Sequence, residues 1–384
     1  MRILFIHNDY IRPSGEESAS GELARLMEEH GHEVEWFRKT SANINGFIDK
    51  LKAFFLGIYN PQSAKELAKV LDEFKPDVVQ VQNLYPFIST SIFKPLKRRN
   101  IPVVMRCPNY RLFCPNGLCL DNSGNICEKC FGGGKEFWCV YHNCERSRLK
   151  SLGYAIRGWY ARITSSIFDG VDAFIVQSEF QKNKFVSQGI REEKVNIVPG
   201  IVPVVKSIDR WKAGEYVSFV GRVSAEKGID EFLEAACLNP ELPFKVAGNV
   251  DASYHIPDNM PTNVDFVGFL KGDELDRLYQ NSRIIVVPSK WYEGFPNVIV
   301  RGMLHGKPII TTNIGAMQSI IRNGENGMLV TPSDGKMLSE TIRNLYDDVE
   351  TCKRIGQQAM TDAVNKYSRE KIYETLIRIY ERVL

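Results

Sequence analysis

The chain has 384 residues, enough for two domains of ordinary size, each with a core of its own. Hydrophobic content of 43% and charged content of 25% are those of a water-soluble globular protein, and a formal charge of +3 is too small to argue for nucleic acid as a partner. No apolar run approaches the ~20 residues that a transmembrane helix needs. The opening MRILFIHN reads as a first strand rather than a signal peptide, so the cytoplasm is the expected compartment.

Strand-like apolar runs alternate with helical patterns from end to end: Ile3–Ile6, Val78–Val81, Val103–Met105, Ala173–Val176, Val195–Val198, Val217–Val220, Phe244–Ala247, Ile284–Val287 and Ile309–Thr311. Such alternation predicts an α/β protein of parallel sheets with helices on both faces. After the first strand, Arg12-Pro13-Ser14-Gly15-Glu16-Glu17 makes a glycine-containing turn before a helix from about Ala19 to His30. A turn of this kind lets backbone N–H groups approach a phosphate. The helix near Phe47–Tyr59 has a wide apolar face of Phe47, Ile48, Leu51, Phe54, Phe55 and Ile58, flanked by Lys50 and Lys52. Its plain reading is a helix packed on the sheet, with a membrane-facing surface as the alternative. Arg146–Arg162 interleaves basic and aromatic residues, which suits a bilayer headgroup region as well as a solvated helix.

Seven of the nine cysteines lie between positions 107 and 144. Cys127 and Cys130 form a CxxC pair, with Cys114 on one side, Cys144 on the other, and Cys119 and Cys139 as alternative ligands. In a reducing compartment four thiolates so spaced read as a tetrahedral structural zinc site ordering a long irregular loop; free packed thiols are the alternative.

The pattern breaks at Gly200–Ala213, where Pro203, Lys206 and Asp209 separate the predicted domains. The strand Tyr216–Val220 then leads into Gly221-Arg222-Val223-Ser224-Ala225-Glu226-Lys227-Gly228 and a helix running to about Leu238. Two cations beside a helix N-terminus suit a diphosphate. Further on, the buried run Ile284–Val287 is followed by a loop with Trp291, Tyr292, Glu293 and Gly294. Pro296 suits the first helical position, since its missing N–H would have no partner there. The helix Asn297–His305 closes at Gly306, and Pro308–Thr312 starts the next strand. One acidic side chain is thereby held at a helix N-terminus, where it can accept hydrogen bonds from sugar hydroxyls. The last helix, Arg369–Leu384, is amphipathic through Ile372, Leu376, Ile379, Tyr380 and Val383.

The stretch Pro288–Gly315 resembles the donor-binding signature of retaining GT-B glycosyltransferases of family 4, and Gly221-Arg222 with Glu226-Lys227-Gly228 matches the same family. The resemblance covers nearly the whole chain. It implies two Rossmann-like domains facing a cleft: residues 1–203 on the acceptor side, with the cysteine-rich loop 107–144, and residues 204–366 binding the nucleotide sugar. Residues 367–384 are then a helix crossing back to the first domain. It implies a donor site of Gly15, Arg222, Lys227, Glu293, Gly294, Phe295, Pro296, Asn297 and Arg301, with Glu293 as the catalytic residue. A subset of the family shares a segment like Asn109–Gly117 followed by Cys127–Cys130.

Three positions depart from the family pattern. Gln80-Val81-Gln82-Asn83 stands where relatives of this subset carry His-Val-His-Asn, Pro108 stands for a histidine, and Arg301 stands for the second of two glutamates eight positions apart. Arginine has donors only and cannot accept from ribose hydroxyls. The function implied is transfer of a sugar, from a UDP-sugar by preference, onto a hydroxyl of a glycan or lipid-linked glycan in cell-envelope polysaccharide synthesis. No catalytic metal is implied, and peripheral contact with the inner face of the membrane is part of the expectation. The alternative reading is a non-catalytic scaffold that keeps the fold and the nucleotide.

Overall fold

A computed structural model describes residues 1–10, 15–42, 46–202 and 211–384. Arg12, Pro13, Ser14, Pro203, Lys206 and Asp209 therefore lie outside the described residues, as do the side chains of Phe47 and Lys50. The chain divides into two compact units, Met1–Ile201 with Ile372–Leu384, and Val202–Lys371.

The first unit contains β1 (Arg2–Asp9), β2 (Glu33–Thr40), β3 (Val78–Asn83), β4 (Val103–Arg106), β5 (Ala173–Val176) and β6 (Val195–Ile197), in the order β2-β1-β3-β4-β5-β6. Every pairing in it is parallel. The second contains β7 (Tyr216–Val220), β8 (Phe244–Ala247), β9 (Val264–Gly268), β10 (Ser282–Val287), β11 (Ile309–Thr312) and β12 (Met328–Val330), in the order β12-β11-β10-β7-β8-β9, again all parallel. Helices cover both sheets, which is the doubly wound architecture that the alternation predicts.

β2, β9 and β12 are strands that the apolar runs do not announce. All three are edge strands. An edge strand is covered less fully, so it lacks the continuous apolar run of a central one. In β2 buried Phe37 sits among exposed Glu33, Glu35 and Arg38, and β12 is only three residues long.

The order of connection reverses between β1 and β3 in the first sheet and between β7 and β10 in the second. Crevices outside the carboxyl ends of strands at such points are where open α/β sheets bind ligands. Residues from Asp9, Asn83, Val220 and Val287 onward are therefore placed by topology.

The final helix, Arg369–Val383, lays Ile372, Leu376, Ile379 and Tyr380 against Phe5, Val78, Val104 and Ile175 of the first unit's core. The Tyr380 hydroxyl donates to Gln80 Oε1. The helix Phe47–Ile58 does not use its apolar face as the plain reading expects. Phe54 packs where Gly153 leaves room on the helix Arg148–Ile163, while Ile48, Leu51 and Phe55 stay exposed. No helix is long and apolar enough to cross a membrane.

Candidate functional site

β10 is buried because β7 and β11 flank it, and it delivers the loop after Val287 to the switch point of the second sheet. Glu293 in that loop is buried. Its Oε1 accepts from Lys227 Nζ at 2.6 Å, Ser289 Oγ at 2.8 Å and Trp291 Nε1 at 3.0 Å. Burial by itself would raise the carboxyl's pKa. The Lys227 charge and the three hydrogen bonds outweigh it and hold Glu293 below the ordinary value, as a carboxylate. Lys227 also lies over the Trp291 ring, 5.2 Å from its centroid.

Lys227 reaches Glu293 because a 3₁₀ turn, Ala225–Lys227, ends at Gly228 with φ +77°. A Cβ at Gly228 would sit 1.9 Å from the Pro288 carbonyl oxygen. Only glycine lets these two loops approach so closely. Arg222, the other expected phosphate ligand, is half-exposed and turned to Glu226 (2.5 Å) and Asp251 (3.3 Å).

The helix after the loop is Asn297–Leu304, with Pro296 at its cap rather than in its first turn. The Pro296 ψ of 89° is not helical, although its carbonyl accepts from the Ile299 N–H at 2.9 Å. Phe295 packs edge-on against Tyr367. Asn297 Oδ1 is buried without a hydrogen-bond partner. Arg301, one turn on, donates through Nε and Nη2 to Asp276 Oδ1 at 3.3 and 2.8 Å, and His305 Nε2 lies 3.1 Å from the same oxygen. Burial raises the Asp276 carboxyl, but Arg301 and His305 more than offset it and keep the pKa low. The arginine at the departing position thus has an acidic partner of its own, from the helix Gly272–Asn281.

In the first unit, Gly15 opens the helix Gly15–Glu29. Of the departing positions there, Gln80 is buried beneath Tyr380, while Gln82 and Pro108 line a cavity outside β3 and β4. That cavity was not foreseen. Its signal is Arg106, a charge closing the apolar run of β4. His7, Asp9 and Glu17 also bring ligand atoms within 4.8 Å of one another, beside Trp36 and Arg38.

The cysteine segment is mostly turns, with the bridge Leu120↔Ile126 and a single helical turn at Trp138–Tyr141. Cys114 pairs with Cys119, and Cys139 with Cys144, through sulfur hydrogen bonds. The expected quartet of Cys114, Cys127, Cys130 and Cys144 shares one neighbourhood, since Cys127, Cys130 and Cys144 each feel the charge of Cys114. Among the described residues no three cysteine sulfurs lie within 4.8 Å of one another, so ligation requires them to draw together.

Two all-parallel, doubly wound sheets in one chain are the GT-B fold. The model of the family described as Glycosyl transferases group 1 matches residues 206–362. The chain is 26% identical over 280 residues to an uncharacterised 42.6 kDa protein in the cps region of Klebsiella pneumoniae, covering 72% of this chain and 67% of that protein. It is 28% identical over 177 residues to the capsular polysaccharide biosynthesis glycosyltransferase CapM of Staphylococcus aureus, covering 44% of this chain and 46% of CapM. The crystal structure of Anabaena HepE in complex with UDP matches over 100% of both chains, with a TM-score of 0.67 and 16% identity.

Proposed function

We propose that this chain transfers a sugar, with retention, from a UDP-sugar to a hydroxyl of a glycan or lipid-linked glycan in cell-envelope polysaccharide assembly. The observation that carries this reading is the Lys227–Glu293 pair. The carboxylate is kept ionised and fixed by three donors on Oε1, in place for a donor-sugar hydroxyl. An ammonium has three N–H donors, so Lys227 can hold Glu293 and still meet a diphosphate oxygen, offsetting the charge that develops as the nucleotide leaves. Asn297 Oδ1, buried and unpartnered, offers an acceptor to a ligand hydroxyl or N–H at the helix start. Arg222 joins by exchanging a carboxylate partner for phosphate, and Gly294 to Pro296 shape the loop. Arg301 serves through Asp276, which supplies a carboxylate beside the position where the family pattern has one. The match to CapM supports the polysaccharide setting, and the UDP complex of HepE supports the choice of nucleotide.

Titration calorimetry with UDP and GDP, with a transfer assay on UDP-sugars and envelope lipid extract, tests the reading. UDP binding in wild type and lost transfer in Glu293→Gln, with UDP affinity kept within a few-fold, is the expected result. Binding without turnover of any sugar would return the scaffold reading, and no nucleotide binding would end both. Two lesser parts belong to the proposal. The quartet Cys114, Cys127, Cys130 and Cys144 takes a structural zinc, and the exposed face of Ile48, Leu51 and Phe55 contacts a membrane surface. Zinc content near zero after chelator-free purification, or no sedimentation with anionic vesicles, would remove the one or the other.

A further inference from the structure

The cavity at the carboxyl ends of β3 and β4 encloses about 50 Å³ and lies wholly within the first unit. Three arginines reach it from separate elements: Arg106 from the end of β4, Arg111 from the segment after it, and Arg157 from the helix Arg148–Ile163. Arg106 is 2% exposed, and its Nε and Nη1 have no hydrogen-bond partner. Gln82, 3% exposed on the same wall, has an unpartnered Nε2. All three orphan atoms in this lining are donors.

The remaining groups are held in place. The Arg157 guanidinium lies over Tyr85 at 4.0 Å and Tyr154 at 4.3 Å, with Nη2 3.4 Å from the Pro115 carbonyl. Arg111 Nη1 donates to the Tyr10 hydroxyl at 3.4 Å, and that hydroxyl donates to Glu16 Oε2 at 2.9 Å. Arg162, also in the lining, is taken by Glu136 at 2.6 Å. Three guanidiniums face the single carboxylate of Glu16 in this lining, with Glu145 adding a weaker attraction at Arg157, so positive charge is in excess. Buried charge without a partner is costly, and so are buried donors without acceptors, so a fold that keeps both has a use for them.

We propose that this cavity is a phosphate-binding subsite for the acceptor, in which Arg106, Arg111, Arg157 and Gln82 hold one phosphate group of a sugar phosphate or a lipid-linked diphosphate. The role as acceptor subsite rests on the glycosyltransferase reading; the anion binding does not. Planar guanidiniums match phosphate oxygens in pairs, which a carboxylate would satisfy with fewer atoms. The volume admits roughly three or four waters, the size of one phosphate group and too small for a sugar ring. The rest of the acceptor therefore stays outside. Burial pushes the Arg106 pKa down from its usual value, which an arriving anion would reverse.

The test measures binding and stability in the full chain. Inorganic phosphate, glucose 1-phosphate and farnesyl diphosphate in mild detergent are titrated against wild type, Arg106→Met and Arg157→Gln, with UDP titrated in parallel. Phosphate should raise the melting temperature of wild type. Both variants should bind the phosphate probes about ten- to a hundredfold more weakly, with UDP affinity unchanged. In the absence of phosphate, Arg106→Met should melt higher than wild type, because it removes a buried guanidinium with two unsatisfied donors that the shared Glu16 charge only partly offsets; a merely structural arginine would give the opposite. Preference for glucose 1-phosphate or for the isoprenyl diphosphate tells a soluble acceptor from a lipid-linked one. If wild type shows no response to any phosphate probe, or either folded variant keeps the wild-type response, the subsite is refuted. Failure of UDP to bind, with the phosphate response intact, would overturn the donor reading alone.

Discussion

Lys227 and Glu293 have a contribution to stability that can be measured apart from the ligand binding proposed for them. Glu293 is buried, and the ammonium 2.6 Å away is the largest of the groups that keep it charged, ahead of the hydrogen bonds from Ser289 and Trp291. Removing one partner of such a pair strands the other. Lys227→Ala should therefore destabilise the protein by about 2–3 kcal/mol at pH 7, less than for a fully buried pair because Lys227 is 24% exposed. The sign with pH follows from the direction of the shift. The native carboxyl sits below 4.5, its value in an unfolded chain, so the stabilisation is whole above pH 4.5 and is lost as pH falls through the native pKa. The gap between wild type and variant should close in that acid range. Lys227→Met with Glu293→Gln should recover most of the loss at neutral pH. Urea denaturation of wild type and the two variants from pH 7 to 3.5 checks both statements, and a gap independent of pH would show that the pair is not its source.

At the scale of elements, the loop of Glu293 is built by one close approach. Gly228 and Gly31 have nearly the same φ, +77° and +78°, but a Cβ at Gly31 meets nothing within 4 Å whereas one at Gly228 meets the Pro288 carbonyl at 1.9 Å. Gly31→Ala should cost about 1 kcal/mol, the strain of a left-handed residue alone. Gly228→Ala should cost at least about 2 kcal/mol more, since backbone must move. It should also weaken UDP binding tenfold or more by shifting Lys227 from Glu293. Equal losses of stability in the two variants, with UDP affinity unchanged, would detach this turn from the site.

For the whole molecule, the last helix is the farthest sequence segment on which the first unit's core depends. Ile372, Leu376, Ile379 and Tyr380 are buried in that core, and apolar burial is worth roughly 1.5–3 kcal/mol for each large side chain. Ending the chain at Ser368 should remove roughly 6 kcal/mol or more, comparable to the full stability of a domain. The first unit should then be cleaved by protease at a temperature where the intact chain resists; equal resistance would refute the dependence. The sequence by itself determined the two parallel sheets, because central strands covered on both faces must be apolar runs, and it determined the loop of Glu293, because a strand end, a cap and a glycine stop are local signals. It hid β2, β9 and β12, since an edge strand needs no continuous apolar run. Only the tertiary structure decided that Lys227 meets Glu293, that Arg301 belongs to Asp276, and that Arg106, Arg111 and Arg157 share one cavity. Those are meetings of residues far apart in the chain, and the physical terms that set them, burial and charge compensation, depend on distances that no spacing along the sequence contains.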